Sequence, residues 1–128
     1  MIKAFTILIM FALISGCASV YKQYEGVQLS DDKIAILEHP DPMNSYFILE
    51  DVDGAWRGTG LIERYELLPG EHSITCSLHN PLRTSKKVTV YFKAVAGKKY
   101  VAEALTDYKR WTVEIKDKAT GEVVSYYK

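Results

Sequence analysis

The chain is poor in cysteine, has no excess charge of either sign and has no apolar run long enough to cross a bilayer. Its 128 residues include two cysteines and four prolines, and 16 basic side chains balance 16 acidic ones. Two cysteines are too few for a disulfide-stapled scaffold. A neutral chain is not suited to general nucleic-acid binding. No phosphate-binding glycine loop, zinc-protease helix or serine-hydrolase motif occurs, so we expect a non-enzymatic protein without a cofactor.

The longest apolar run spans Ala4 to Ile14 and is broken only by Thr6. It is well short of the roughly 20 residues that cross a bilayer as a helix. Lys3 precedes the run, and the small residues Ser15 and Gly16 follow it. This order of positive, apolar and small residues is typical of a secretory signal, so residues 1–16 are predicted to be a cleaved signal peptide.

The four residues Ile14-Ser15-Gly16-Cys17 resemble the lipobox of bacterial lipoproteins. The resemblance implies that Cys17 receives a diacylglyceryl group, becomes the first mature residue and is acylated on its new amine, with chains such as palmitate. An ordinary secreted protein is the alternative. Ala18 and Ser19 follow the cysteine instead of aspartate, which implies the outer membrane, facing the periplasm, in a Gram-negative host. In a Gram-positive host the same signal implies the outside of the plasma membrane.

Residues 17–32 are predicted to be the lipidated cysteine and a flexible tether, because they show no regular period. Such a coil spans about 20 Å, and about 50 Å when fully extended. Two locations are open for Tyr21 and Tyr24: their rings dock either on the domain or at the membrane interface.

Residues 33–128 read as short strands separated by turn signals. Asp53-Gly54, Pro69-Gly70, Gly97-Lys98 and residues 117–121 supply the turns. We predict an all-β fold, a single antiparallel β-sandwich of seven to nine strands, with a small β-barrel as the alternative. The predicted strands are 34–38, 45–52, a weak glycine-broken stretch over 56–65, then 65–68, 72–78, 86–95, 100–105, 111–116 and 123–127. The predicted core is Ile34, Ile36, Phe47, Leu49, Leu67, Ile74, Cys76, Leu78, Val88, Val90, Phe92, Val101, Trp111, Val113 and Ile115.

Three phrases, at residues 68–72, 95–100 and 115–121, together resemble small bacterial lipoproteins with a PEGA-like or transthyretin-like β-sandwich. The resemblance covers roughly residues 34–125, and the matching residues are mostly ones that form turns. It implies an envelope accessory module and brings no catalytic residues with it. The chain differs from a plain PEGA repeat by its additional strands after Gly97.

Charge is unevenly distributed along the mature chain. Residues 18–80 hold eleven acidic and four basic side chains, for a net −7, whereas residues 81–128 hold five acidic and eleven basic, for a net +6. The favoured interpretation is that strands from both halves interleave and mix these charges. Two charged lobes are the alternative.

The candidate binding patch combines basic and aromatic residues that suit anionic glycans, peptidoglycan carboxylates or anionic headgroups. It consists of Lys98, Lys99, Tyr108, Lys109, Arg110 and Trp111. The alternative is that the aromatic residues are core edges and the basic ones keep turns soluble. Neither His72, Cys76 and His79 nor the acidic residues around Asp53 have the spacing of a metal site, so no metal is expected.

Taken together, these features predict a lipid-anchored, non-enzymatic binding or structural accessory module of the bacterial envelope. Its partners would be the membrane, through the chains on Cys17, and an envelope protein or peptidoglycan. The alternative function is an inhibitor or immunity-type lipoprotein that blocks a cell-wall hydrolase with a loop at residues 39–45 or 79–85.

Overall fold

A computed structural model describes residues 20–39, 47–58, 60, 62–80, 83–84, 86–107 and 110–128. Within these ranges the chain forms ten strands and no helix, which confirms the all-β prediction. No described segment is a helix that could span a membrane. The strands are β1 (Val20–Lys22), β2 (Ala35–Glu38), β3 (Phe47–Val52), β4 (Ala55–Trp56), β5 (Arg64–Leu67), β6 (Gly70–Asn80), β7 (Arg83–Thr84), β8 (Val88–Ala94), β9 (Lys99–Asp107) and β10 (Arg110–Asp117).

The strands form two sheets that do not close into a barrel, so the sandwich prediction holds. The first sheet has the order β1-β5-β2-β9-β10, and the second has the order β4-β3-β6, with β7 and β8 both paired to β6. Two pairs, β1–β5 and β2–β9, are parallel, so the first sheet is mixed and the prediction of a wholly antiparallel sandwich was wrong for these pairs. Both parallel pairs join strands that are distant along the chain, as parallel pairing requires a long connection.

The main core lies between the two sheets and contains inward-facing residues of both. Phe92 of β8 meets Tyr100 of β9 edge-on, with 5.1 Å between ring centroids. Most of the predicted core residues are buried, but Leu78, Val88, Val101 and Trp111 are only partly buried. On β9 the prediction was wrong by one position, since Tyr100 and Ala102 are buried in place of Val101.

Residues 20–33 pack against the first sheet, which differs from the predicted tether. Val20–Lys22 pair with β5, and Tyr24 is buried with Ile34 and Ile36 on the outer face of the sheet. Ile34 and Ile36 are therefore buried as predicted, but outside the inter-sheet core. Tyr21 contacts the Tyr65 ring at 5.8 Å. Both tyrosines thus dock on the domain.

The C-terminal segment closes one side of the sandwich. Residues 123–127 were predicted to form a strand, but they make only isolated bridges, Val123 with Lys116 of β10 and Tyr126 with Tyr91 of β8. Because β10 and β8 belong to different sheets, this segment links them, and we call this the closed side. The edges β1 and β4 lie on the opposite side, which we call the open side.

The strands of the two chain halves do not interleave, so the favoured interpretation of the charge pattern was wrong. In the first sheet β1, β5 and β2 come from the acidic half, and β9 and β10 from the basic half. In the second sheet β4, β3 and β6 lie towards the open side, while β7 and β8 lie on the other side of β6. The acidic half therefore forms the open side and the basic half forms the closed side.

Candidate functional site

The basic and aromatic patch predicted from the sequence is divided by the β9–β10 hairpin. Lys98 and Lys99 lie at the beginning of β9, whereas Arg110 pairs with Asp107 at its end. Eight residues of strand separate these ends, or about 26 Å at the usual rise. Tyr108 and Lys109 lie outside the described residues. Trp111 packs against the core and its indole N–H donates to the Lys86 carbonyl at 3.1 Å, as expected for a core-edge residue.

Lys98 and Lys99 instead belong to an open hollow that the sequence did not single out. Its volume is about 540 Å³, and it lies between the β8–β9 turn and the turn that follows β10. Its lining residues are Gly97, Lys98, Lys99, Asp117, Lys118, Ala119 and Thr120. The Lys118 N–H donates to the Lys99 carbonyl at 2.9 Å, which ties the two turns together.

Asp117 organises the wall of the hollow. Its Oδ1 accepts hydrogen bonds from the backbone N–H groups of Ala119 at 2.9 Å and Thr120 at 3.4 Å, and Lys98 Nζ lies 3.2 Å from Oδ2. The Ala119 hydrogen bond holds the pKa of the Asp117 carboxyl below its usual value, with a smaller contribution from the Lys98 ammonium. The turn is therefore held by its own hydrogen bonds and carries an ionised carboxylate.

Three lysines, Lys98, Lys99 and Lys118, line the hollow, and only Lys98 contacts the Asp117 carboxylate. Lys98 is paired with Asp117, and Lys118 Nζ lies 2.6 Å from Oε2 of Glu38. Lys99 is exposed and makes no ion pair within the described part of the chain. With three cations and two of them already paired, the hollow can receive a further anionic group, such as a carboxylate, beside Lys99.

Cys76 and His72 have structural roles. Cys76 is fully buried as predicted, and burial raises the pKa of its thiol, so it is not poised as a nucleophile. His72 Nδ1 lies 2.6 Å from Oδ2 of Asp53, whose Oδ1 accepts the Ser73 N–H at 2.9 Å. Asp53 and Gly54 have φ values of 52° and 79°, as the predicted hairpin turn requires. Among the described residues no three His, Cys, Asp or Glu side chains are grouped to hold a metal ion.

Several predicted functional segments lie outside the described residues. They include the lipobox residues 14–17, residues 40–45 of the first candidate inhibitory loop, and residues 81, 82 and 85 of the second. Comparisons with protein-family models, curated proteins and solved structures gave no match. The PEGA-like resemblance therefore stays a prediction.

Sequence reasoning missed the contribution of Asp117 and Lys118 to a site. The sequence Asp117-Lys118-Ala119-Thr120-Gly121 predicts a turn and contributes to the PEGA-like resemblance, but nothing in it indicates a binding site. An acidic residue whose carboxylate can accept the backbone N–H groups two and three positions later is a recognisable turn signal. The proximity of Asp117 to Lys98, however, depends on the register between β9 and β10.

Proposed function

We propose that the protein is a lipid-anchored, non-enzymatic accessory module of the bacterial envelope that binds an acidic envelope component. A single observation supports the proposed lipid anchor. In residues 3–17 an apolar run and two small residues lead directly to Cys17. Two or more acyl chains at Cys17 are enough for stable attachment to a membrane. In a Gram-negative host the domain would face the periplasm from the outer membrane.

The lysine-lined hollow supports the binding role. It offers Lys99 and two further ammonium groups on turns that are joined by a backbone hydrogen bond, and it is formed by the basic half of the chain. Peptidoglycan carries carboxylates and is the polyanionic polymer of the compartment to which the signal points. We therefore propose that the hollow takes peptidoglycan carboxylates.

The anchor is tested by replacing Cys17 with serine and following the full chain in its host. The wild-type protein is expected to be processed and to sediment with membranes, because its acyl chains partition into lipid. Cys17→Ser should lose both lipid modification and sedimentation, measured by mass spectrometry and fractionation. Ser19→Ala serves as the matched control. A Cys17→Ser protein that is still cut before residue 17 and still sediments would overturn the anchor.

The hollow is tested by pull-down of the mature chain on insoluble peptidoglycan. Changing Lys98, Lys99 and Lys118 together to glutamine should weaken binding by roughly three- to tenfold, as expected for the loss of a few exposed ion pairs. Raising the salt concentration should weaken wild-type binding in the same direction.

The matched control changes three exposed lysines elsewhere, Lys22, Lys86 and Lys93, to glutamine. It removes the same net charge, so equal losses in both triple variants would contradict a specific role for the hollow.

A further inference from the structure

We propose that the open side of the sandwich, the side formed by β1 and β4, faces the membrane and that Trp56 contacts the lipid headgroup region. This inference rests on the proposed lipidation of Cys17. It assigns an interaction surface to the edge residues Val20, Lys22 and Trp56, with the anchoring membrane as its occupant.

The short connection between the anchor and the sheet carries the inference. Val20 already pairs with Arg64 of β5, and it lies only three residues after Cys17. Three residues span at most about 11 Å even when fully extended. The membrane surface must therefore lie within about 11 Å of the beginning of β1, instead of the 20–50 Å that a free tether would allow.

Together with the strand order, this distance limit determines which side of the domain can face the membrane. β1 is an edge strand, and β10 lies four strands away in the same sheet, or about 19 Å at the usual strand spacing. Placing the closed side on the membrane would lift Val20 by about that distance, which exceeds the reach of residues 17–19. The open side can approach the membrane without stretching the connection.

Residues of the two sheets meet on the open side around Tyr65. The Tyr21 ring of β1 lies 5.8 Å from the Tyr65 ring, and the Tyr65 hydroxyl donates to the Leu49 carbonyl of β3 at 3.5 Å. Burial raises the pKa of Tyr65, and the nearby positive charge of Arg57 opposes this rise. β1 pairs with β5, which carries Tyr65, and β4 pairs with β3, which carries Leu49, so both edge strands lie beside this contact.

The side chains exposed on this side suit a membrane interface. Trp56 is 66% exposed and Val20 is 41% exposed, while Lys22 is also exposed. Tryptophan favours the headgroup level because its ring is apolar and its N–H can reach water, and lysine tolerates the same depth. The hollow, by contrast, is built on β9 and β10 and would face away from its own membrane.

The test uses intrinsic fluorescence of the lipid-modified protein in vesicles of brominated phosphatidylcholine. The chain has two tryptophans, so Trp111→Phe reports on Trp56 and Trp56→Phe reports on Trp111. We expect Trp56 emission to be quenched severalfold more strongly than Trp111 emission, because Trp111 lies in β10 and is held by Lys86. If Trp111→Phe does not fold, the Trp56 signal follows as the difference between wild type and Trp56→Phe.

A matched variant carries about 15 glycine and serine residues inserted between Ser19 and Val20, enough to span about 20 Å. Its quenching of Trp56 should fall towards that of Trp111, because the domain is no longer held at the surface. Equal quenching of both tryptophans in a protein that floats with the vesicles would overturn the orientation but leave the anchor standing. A protein that carries no lipid and does not float would overturn the anchor and the orientation together.

Discussion

Asp117 shows how one side chain shapes the candidate site. It is 5% exposed and accepts two backbone hydrogen bonds from its own turn. These bonds and Lys98 favour the ionised form, which lowers the pKa from its ordinary value of 3.8. A group whose pKa is lower in the folded state stabilises the fold above its unfolded pKa and loses this effect as pH falls through its folded pKa.

Asp117→Asn is therefore expected to be less stable than wild type at pH 7, because a neutral amide oxygen accepts the Ala119 N–H less strongly than a carboxylate and cannot form an ion pair with Lys98. The difference should shrink below pH 4 and nearly vanish once Asp117 is protonated in the wild type. Urea unfolding at pH 7 and at pH 2 measures it, because the pKa of Asp117 in the folded state lies below 3.8. Glu122→Gln, an exposed carboxyl five residues later, is the control and should follow wild type at both pH values. A constant difference between Asp117→Asn and wild type would contradict this assignment.

At the scale of elements, residues 23–33 cover the outer face of the first sheet. One buried carboxylate, that of Glu66, holds them there. Glu66 of β5 is 4% exposed and accepts hydrogen bonds from the Tyr24 hydroxyl at 3.1 Å and the Gln28 amide at 3.1 Å. Arg64 donates to the same carboxylate at 3.0 Å and to Asp31 at 2.8 Å. The segment is thus held at both of its ends, around Tyr24 and around Asp31.

Glu66→Ala is expected to lower the free energy of unfolding by about 1–3 kcal/mol, because it leaves buried hydrogen-bond donors unsatisfied. Hydrogen exchange should speed up most in residues 24–33, since that segment loses its central acceptor. Chemical denaturation and exchange mass spectrometry measure the two effects. The control is Glu25→Ala, which alters an exposed carboxyl of the same segment and should change stability by less than about 0.5 kcal/mol. Unchanged exchange in residues 24–33 of Glu66→Ala would show that the segment does not depend on Glu66.

At the scale of the whole molecule, the two charged halves meet along a line between β2 and β9 in one sheet and between β6 and β7 or β8 in the other. Ion pairs cross this line, including Lys118 with Glu38 and Lys87 with Glu50. The open side, next to the proposed anchor, is formed by the acidic half of the chain, and the closed side by the basic half. A basic side turned away from the membrane suits a polyanionic polymer at a distance from the lipid, as the proposed function requires.

Much of the fold was predictable from local chemistry. The prediction of the Asp53-Gly54 turn was correct because a backbone with positive φ strongly favours such residues. The predictions of β6 and β8 were correct because apolar residues alternate along both strands. On β9 apolar residues occupy both faces, so alternation alone could not choose between Val101 and Tyr100 as the buried residue. The candidate patch combined residues from both ends of the β9–β10 hairpin, because the sequence did not show that Lys98 and Lys99 lie at the opposite end from Arg110.

By itself, the sequence determined the all-β class, the turns and the lipobox resemblance at Cys17, since each depends on residues within a few positions of one another. Tertiary structure decided the order of the strands, the packing of residues 20–33 and the grouping of Lys98 with Asp117 and Lys118. These features depend on contacts between segments tens of residues apart. Such contacts are set by which apolar faces bury each other, and no local pattern specifies that choice.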